Sequence, residues 1–484
     1  MGSAHDLFVE SAAMIQPLSE PLVEAKSGPA FSWLPYVLVM IPIAIGMGCS
    51  AWQRSAVDWT TVFVEAARRL LKADNVFSAD GYVYPPFSAL AAVPFTWLSD
   101  KASQLAFYLI SLACLCLMTR LAWDLSGART DRSSSKSAKA EHATFLLACA
   151  IAIKFAFNAL SHLQPDLIVD ALLMLGLLSL TQLRFVVAGI CWGLSAAFKG
   201  PPLLMVVYLL WRNKFGAAIV MLAVVIGVNL LPNLVSTPPG GGLWLTQWIN
   251  SYAKPFGKDD IPGNWYNNNI INNQSIAGAV NRWLATTPTK SKAGVKATPF
   301  KPAPSPLMLK GVTMGANLAL FAFTLATLFI GRGKSKPAHG IAREVLECSM
   351  FFMLTLLLSP MTSRSHVGIL ILPAFCLCRD AIYSGDKFSW TLVILAWVFS
   401  ISSFNLPGDK TFVEMSFWLG SVMFCAVFFL IGCGYLILRG APAIPAGQAM
   451  ARPGAPPTHA PAVQLRVRHI SGSFVSRFMP ISVK

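Results

Sequence analysis

Long apolar runs alternate with short polar stretches along most of the chain, a rhythm that predicts a bundle of membrane-spanning helices. Spans are predicted at 32–52, 103–124, 144–161, 166–182, 215–234, 307–331, 343–360, 366–379, 388–404 and 414–438. Two shorter apolar pieces, 185–198 and 201–212, are broken by Lys199-Gly200-Pro201-Pro202 and end at the basic turn Arg212-Asn213-Lys214. With these pieces the pattern gives about twelve spans, both termini on the cytoplasmic side. Short or broken helices persist in a bilayer only where protein or a water-filled cavity covers their free backbone groups.

The pattern changes between Asp58 and Leu98. Phe63, Ala66, Ala67 and Leu70 fall on one helical face, and Glu65, Arg68, Arg69 and Lys72 on the other. The spacing predicts an amphipathic helix lying along the membrane surface. Tyr84-Pro85-Pro86 then starts a second helix, since proline is accepted in a first turn. The apolar run Phe87–Leu98 behind it is shorter than the roughly 20 residues a crossing needs and reads as re-entrant. That reading places a first extracytoplasmic loop at 53–100 and a long one at 236–305, whose second half, 286–305, is expected to be mobile. Residues 1–30 read as a flexible cytoplasmic tail, without a cleavable signal peptide, and 439–484 as a disordered basic tail touching lipid headgroups. The segment 31–438 forms a single transmembrane unit.

Composition strengthens the membrane assignment. Hydrophobic residues make up 55% of the chain and charged residues 12%, against about 25% charged in a soluble domain; the mean hydropathy is +0.57. The net charge of +16 resides in short loops and tails, for example Arg129, Arg132, Lys136 and Lys139. It therefore indicates cytoplasmic loops facing anionic lipid, and no nucleic acid. The ten cysteines mostly fall within spans, with no metal-ligand spacing, and read as small core residues.

Phosphate-loop, dinucleotide-binding, zinc-protease and serine-hydrolase motifs are missing, as is a cytoplasmic acidic pair of the DxD type. Nucleotide-dependent chemistry, metal and cofactor are therefore not expected. The polar residues at the membrane boundary carry the remaining chemistry. Asp58 could act as a general base towards an acceptor hydroxyl, or as the N-cap of the helix that follows it. Arg68 and Arg69 could clamp a phosphate, or pair with Glu65. Lys199, at a helix break, could neutralise a phosphate or snorkel to the interface. Lys154 and Glu347, each inside a span, are functional candidates, though an intramembrane ion pair would explain both. His162, Gln164 and Asp166 in His162-Leu163-Gln164-Pro165-Asp166 could line a sugar pocket or simply make a turn. Ser359–His366 is a third polar cluster on the same side.

Several segments, taken in order, resemble glycosyltransferase family 87 of the GT-C superfamily. Asp58 with AARRLL (66–71) and YPPFSALAAVP (84–94) is similar to that family's first-loop signature. LQPDLIVDALLMLGLLSL (163–180) resembles its GQxNxxxxxLLxLA segment, and AGICWGLSAAFKGPPLLMVVYLLWR (188–212) its AGxxxGLAxxxKxxPxLLxxxLLxxR segment. NQSIAGAVNRWL (273–284) and LLSPMTSRSH (357–366) are similar to its NQS and LLSPxSWxHH elements. The likeness covers about 32–380, with Leu163-Gln164-Pro165-Asp166 departing from GQxN and Ser363 and Ser365 from the tryptophan and first histidine.

This resemblance implies an all-α GT-C fold with an extracytoplasmic site, in a bacterial inner membrane. It implies inverting transfer of a hexose, foremost mannose, from a polyprenyl-phosphate donor to a glycolipid or glycan acceptor. Asp58 would be the base, with Arg68, Arg69, Tyr84, Lys199, Gln274 and His366 at the donor. A transporter or flippase for a lipid-linked glycan is the other reading, since broken helices and intramembrane charge would serve it equally. No internal repeat supports that alternative.

Overall fold

The computed structural model describes residues 34–127, 135–253, 271–291, 294–332, 341–403 and 410–440. The N-terminal tail, nearly all of the C-terminal one and the middle of the long loop, including Trp265–Asn269, lie outside the described residues. The chain is mostly helical. Helix α1 (Leu34–Gln53) leads into a π-helical turn, Trp59–Val64, continued by α2 (Glu65–Leu71). Next come α3 (Pro86–Ala92), α4 (Asp100–Leu125), α5 (Ser135–Ala152), α6 (Phe155–His162), α7 (Asp166–Thr181) and α8 (Phe185–Phe198). A 3-10 turn at Pro201–Leu204 opens α9 (Met205–Trp211), followed by α10 (Phe215–Leu230), α11 (Pro232–Val235) and α12 (Trp244–Trp248). After α13 (Ile276–Ala285) and strands β1 (Thr286–Ser291) and β2 (Gly294–Pro299) come α14 (Pro306–Gly331) and α15 (Arg343–Leu357). The last elements are a 3-10 turn (Arg364–Leu370), α16 (Ile371–Ser384), α17 (Lys387–Ser402), α18 (Lys410–Leu419) and α19 (Ser421–Arg439).

Among the described residues, six helical segments are long and apolar enough to cross a membrane: α1, α4, α10 with α11, α14, the Arg364 turn with α16, and α19. A seventh crossing would be α5 with α6, bent by 56° at Ile153-Lys154. The predicted count of about twelve exceeds this because several predicted spans form shorter helices. Helix α7 has 16 residues, α8 14, α15 15 and α17 16. Hydropathy marks them as apolar, but it does not distinguish contact with lipid from contact with protein. Every residue of α15 from Val345 to Leu357 is buried, whereas only 22% of the α14 span is.

Other expectations need correction. The predicted span 414–438 is two helices, because Gly420 adopts a left-handed φ of +88° that ends α18 before α19 begins. The chain is not purely α-helical: part of the loop expected to be mobile forms an antiparallel hairpin, with Thr286 opposite Pro299 and Thr289 opposite Lys296. Threonine and valine suit such a ribbon. Helix α18 anchors it through the Glu414 carboxylate, which accepts from the Val295 N–H, and the Trp418 indole, which donates to Thr286 Oγ1.

The amphipathic helix after Asp58 forms, but its apolar face meets protein. Phe63, Ala66, Ala67 and Leu70 are all buried, and Trp59 stacks 3.5 Å from the Phe107 ring of α4. The first loop is thus built into the bundle. Nor do Lys154 and Glu347 pair: the Lys154 ammonium donates to Ser403 Oγ at 2.9 Å, while fully buried Glu347 takes Arg343 at 2.6 Å and Arg212 at 3.6 Å.

Candidate active site

The turn between α6 and α7 organises the polar centre. Leu163 takes a left-handed φ of 53° and ends α6, and Pro165 then starts α7. The reversal turns His162 and Gln164 towards Asp58 and leaves Asp166 in the first turn of α7, towards α8. Gln164 Nε2 donates to Asp58 Oδ2. On the other oxygen, His162 Nδ1 stands 3.8 Å from Oδ1. Arg54 Nη1 donates to His162 Nε2 at 3.3 Å. A guanidinium can only donate, so Nε2 is the accepting nitrogen and the imidazole presents Nδ1–H to Asp58.

Asp58 does not cap its helix. Its backbone is already helical, at φ −57° and ψ −33°, and its side chain bonds no helical N–H. Burial works against its charge, but the contacts from His162 and Gln164 and the Arg54 charge outweigh that and hold its carboxyl below the usual carboxylate range. It is an ionised, half-buried acceptor at neutral pH.

A second centre adjoins the first through Pro165. Lys199, just past the end of α8, donates to Asp166 Oδ1 at 2.6 Å. The pair lies in a small cleft also lined by Asp170, Thr355, Thr362 and His366. Lys199 further sits 5.4 Å over the Tyr84 ring, which brings the first loop to the cleft. Ser88 Oγ donating to the Phe198 carbonyl and Phe87 N–H donating to Asn229 Oδ1 fix that approach.

The sequence-predicted residues therefore separate into groups. His162, Gln164 and Asp58 come together, as do Asp166, Lys199, Tyr84 and His366. Arg68 instead pairs with Asp100 at 2.9 Å, and Arg69 with Glu65 at 3.0 Å and with Ser78. These are surface pairs, weakly held. Gln274 is buried, and its side-chain amide is committed to backbone: Nε2 donates to the Ile271 and Phe417 carbonyls, and Oε1 accepts from the Val422 N–H. It braces the site without facing it. Sequence reasoning passed over Arg54 and Asp170. Asp170 was legible as the acid one helical turn beyond Asp166, but nothing in the pattern ties Arg54 to a histidine 108 positions away. Among the described residues, no group of three or more His, Cys, Asp or Glu could hold a metal ion.

Apolar crossing helices around a half-buried carboxylate and a lysine-bearing cleft define a polytopic membrane protein with an internal polar site. The model of glycosyltransferase family 87 matches residues 82–360, more than half of the chain, and the chain belongs to that family. It is accordingly a membrane glycosyltransferase. The match begins after Asp58 and ends before His366. No curated protein matches the chain.

Proposed function

We propose that this glycosyltransferase moves a hexose, foremost mannose, from a polyprenyl-phosphate donor to a lipid or glycan acceptor on the extracytoplasmic side of a bacterial inner membrane. The anomeric carbon would invert in one in-line displacement. The acceptor oxygen forms the new bond to the anomeric carbon as its proton passes to the Asp58 carboxylate. The bond from that carbon to the phosphate oxygen breaks, and polyprenyl phosphate leaves with the electron pair. Tyr84, Lys199 and His366 would border the donor, and the apolar surfaces beside α3, α8 and α9 would take the polyprenyl tail.

The observation that carries this reading is the Asp58 carboxylate. It is ionised, free of capping duty, and oriented by Gln164 on one oxygen and His162 on the other. A group held in this way is ionised and aimed; the same contacts make it a weaker base than a free carboxylate, so its role rests on position.

The test is sugar transfer in reconstituted membranes, with polyprenyl-phosphate mannose as donor and a glycolipid extract as acceptor. Asp58→Asn is expected to fold and to transfer about 10²-fold more slowly or worse. Equal transfer by the two proteins would remove Asp58 from the chemistry.

A further inference from the structure

Lys199 is the cation that resemblance places at the donor phosphate, yet its charge is already matched. Its ammonium lies 2.6 Å from Asp166 Oδ1, and that side chain is only 3% exposed. Asp166 alone balances the ammonium, so the cleft has no surplus of positive charge to offer an anion. The family segment has asparagine where this chain has Asp166, so the matching charge is a feature of this chain.

Arg364 is in the opposite condition. It opens the 3-10 turn that carries His366 into the cleft, and it is only partly exposed. Its guanidinium rests 4.7 Å over the Phe417 ring. Among the described residues it has no carboxylate within ion-pairing distance. A partly desolvated guanidinium without a counter-ion is costly unless an anion completes it, and its planar fork fits phosphate oxygens in pairs. The ring behind it is fixed in place. Gln274 Nε2 holds the Phe417 carbonyl at 2.8 Å, and the Gln274 N–H holds the Thr362 carbonyl at 2.6 Å. Gln274 thereby clamps α18 to the segment leading into Arg364, which accounts for a buried glutamine in the NQS element that does not line the Lys199 cleft.

We propose that Arg364, backed by Phe417, is the phosphate-binding residue of this chain, and that the Lys199–Asp166 pair faces the sugar hydroxyls. The ligand is a phosphate monoester or diester anion, from the polyprenyl donor or from a lipid headgroup. The donor alternative rests on the polyprenyl-phosphate reading above.

The experiment is a titration of full-length protein in nanodiscs of neutral lipid with a polyprenyl monophosphate, followed by tryptophan fluorescence. Arg364→Gln is expected to weaken binding about tenfold or more, and Arg364→Lys, which keeps charge without the fork, by less. Asp166→Asn, which frees Lys199 on the sugar side, is expected to leave it unchanged; tighter binding would return the phosphate to Lys199 and overturn the assignment. Unfolding temperatures of the variants show whether each is folded; if Arg364→Gln is not, Arg364→Lys carries the comparison. Wild-type binding matched by the folded arginine variants overturns this proposal alone. No binding of the monophosphate by wild type overturns the polyprenyl-phosphate reading, and no response to phosphatidylglycerol either overturns the phosphate site with it. Repeating the titration in nanodiscs containing phosphatidylglycerol separates the sources. Competition by that lipid in wild type, absent in Arg364→Gln, supports the phosphate site and assigns it to a headgroup.

Discussion

At the scale of single residues, the geometry around Asp58 carries a pH signature. Its carboxyl is held below the usual range, so the contacts from Gln164 and His162 stabilise the fold at every pH above that range. They are lost as the pH falls through the lowered value. The ionised form is also the form able to take a proton, so the acid limb of the rate profile should lie below the ordinary carboxylate range. Removing a donor should move it upward. Gln164→Ala and His162→Asn are each expected to shift that limb to higher pH and to lower kcat more than they raise the KM for donor; separate profiles of kcat and of kcat/KM, carried down to about pH 3, measure both. An unmoved limb would show that neither side chain tunes the carboxylate. These residues were legible in the sequence as a polar cluster at the end of an apolar run. The partnership of His162 with Arg54 was not, because hydropathy says nothing about which loop meets which helix end.

At the scale of elements, the short helices hold the site because they approach one another closely. Helices α8 and α10 meet at Gly193, where an added Cβ would lie 2.8 Å from the Met221 carbonyl oxygen and 2.7 Å from Val224 Cβ. A backbone oxygen cannot step aside as a long side chain can. Gly193→Leu is expected to force the helices apart, cost about 1–3 kcal/mol or more, and lower the unfolding temperature in detergent with a matching loss of Lys199-dependent function. A wild-type unfolding temperature would count against this packing. Element positions were largely readable from apolar periodicity: α4, α14 and the face of the turn and helix after Asp58 lie where the pattern places them. Their lengths and breaks were less so. The break at Gly420 and the bend at Ile153-Lys154 depend on what covers each helix, and a run such as 414–438 reads as continuous when one left-handed glycine divides it. The β1–β2 hairpin escaped because its strands are short and their anchor, Glu414, lies more than a hundred residues away.

At the scale of the whole molecule, two charge networks, each centred on a buried carboxylate, join separate elements. Glu347, on the stretch of α15 that is buried from Val345 to Leu357, gathers Arg343, Arg212 and the Tyr208 hydroxyl. Arg343 also donates to the Gly331 and Leu328 carbonyls at the end of α14. Such networks are stable only when complete. Glu347→Leu leaves the Arg343 guanidinium without a counter-ion and is expected to cost about 3–5 kcal/mol, read as a lower midpoint in thermal or denaturant unfolding. If the midpoint stays put, the network is dispensable. The second network gathers Asp380, Asp386 and Arg439 between α16 and α19.

The turn that links the two polar centres has a further consequence. Gln164 holds the Asp58 carboxylate and Asp166 holds the Lys199 ammonium, with only Pro165, at φ −74°, between them. A spacer so short and stiff acts as a gauge, setting the separation of the two charges without help from the long loops. Those loops can diverge in length and sequence and leave the gauge untouched. One residue inserted between Gln164 and Asp166 would put the two charges out of step, however well the rest of the bundle folded.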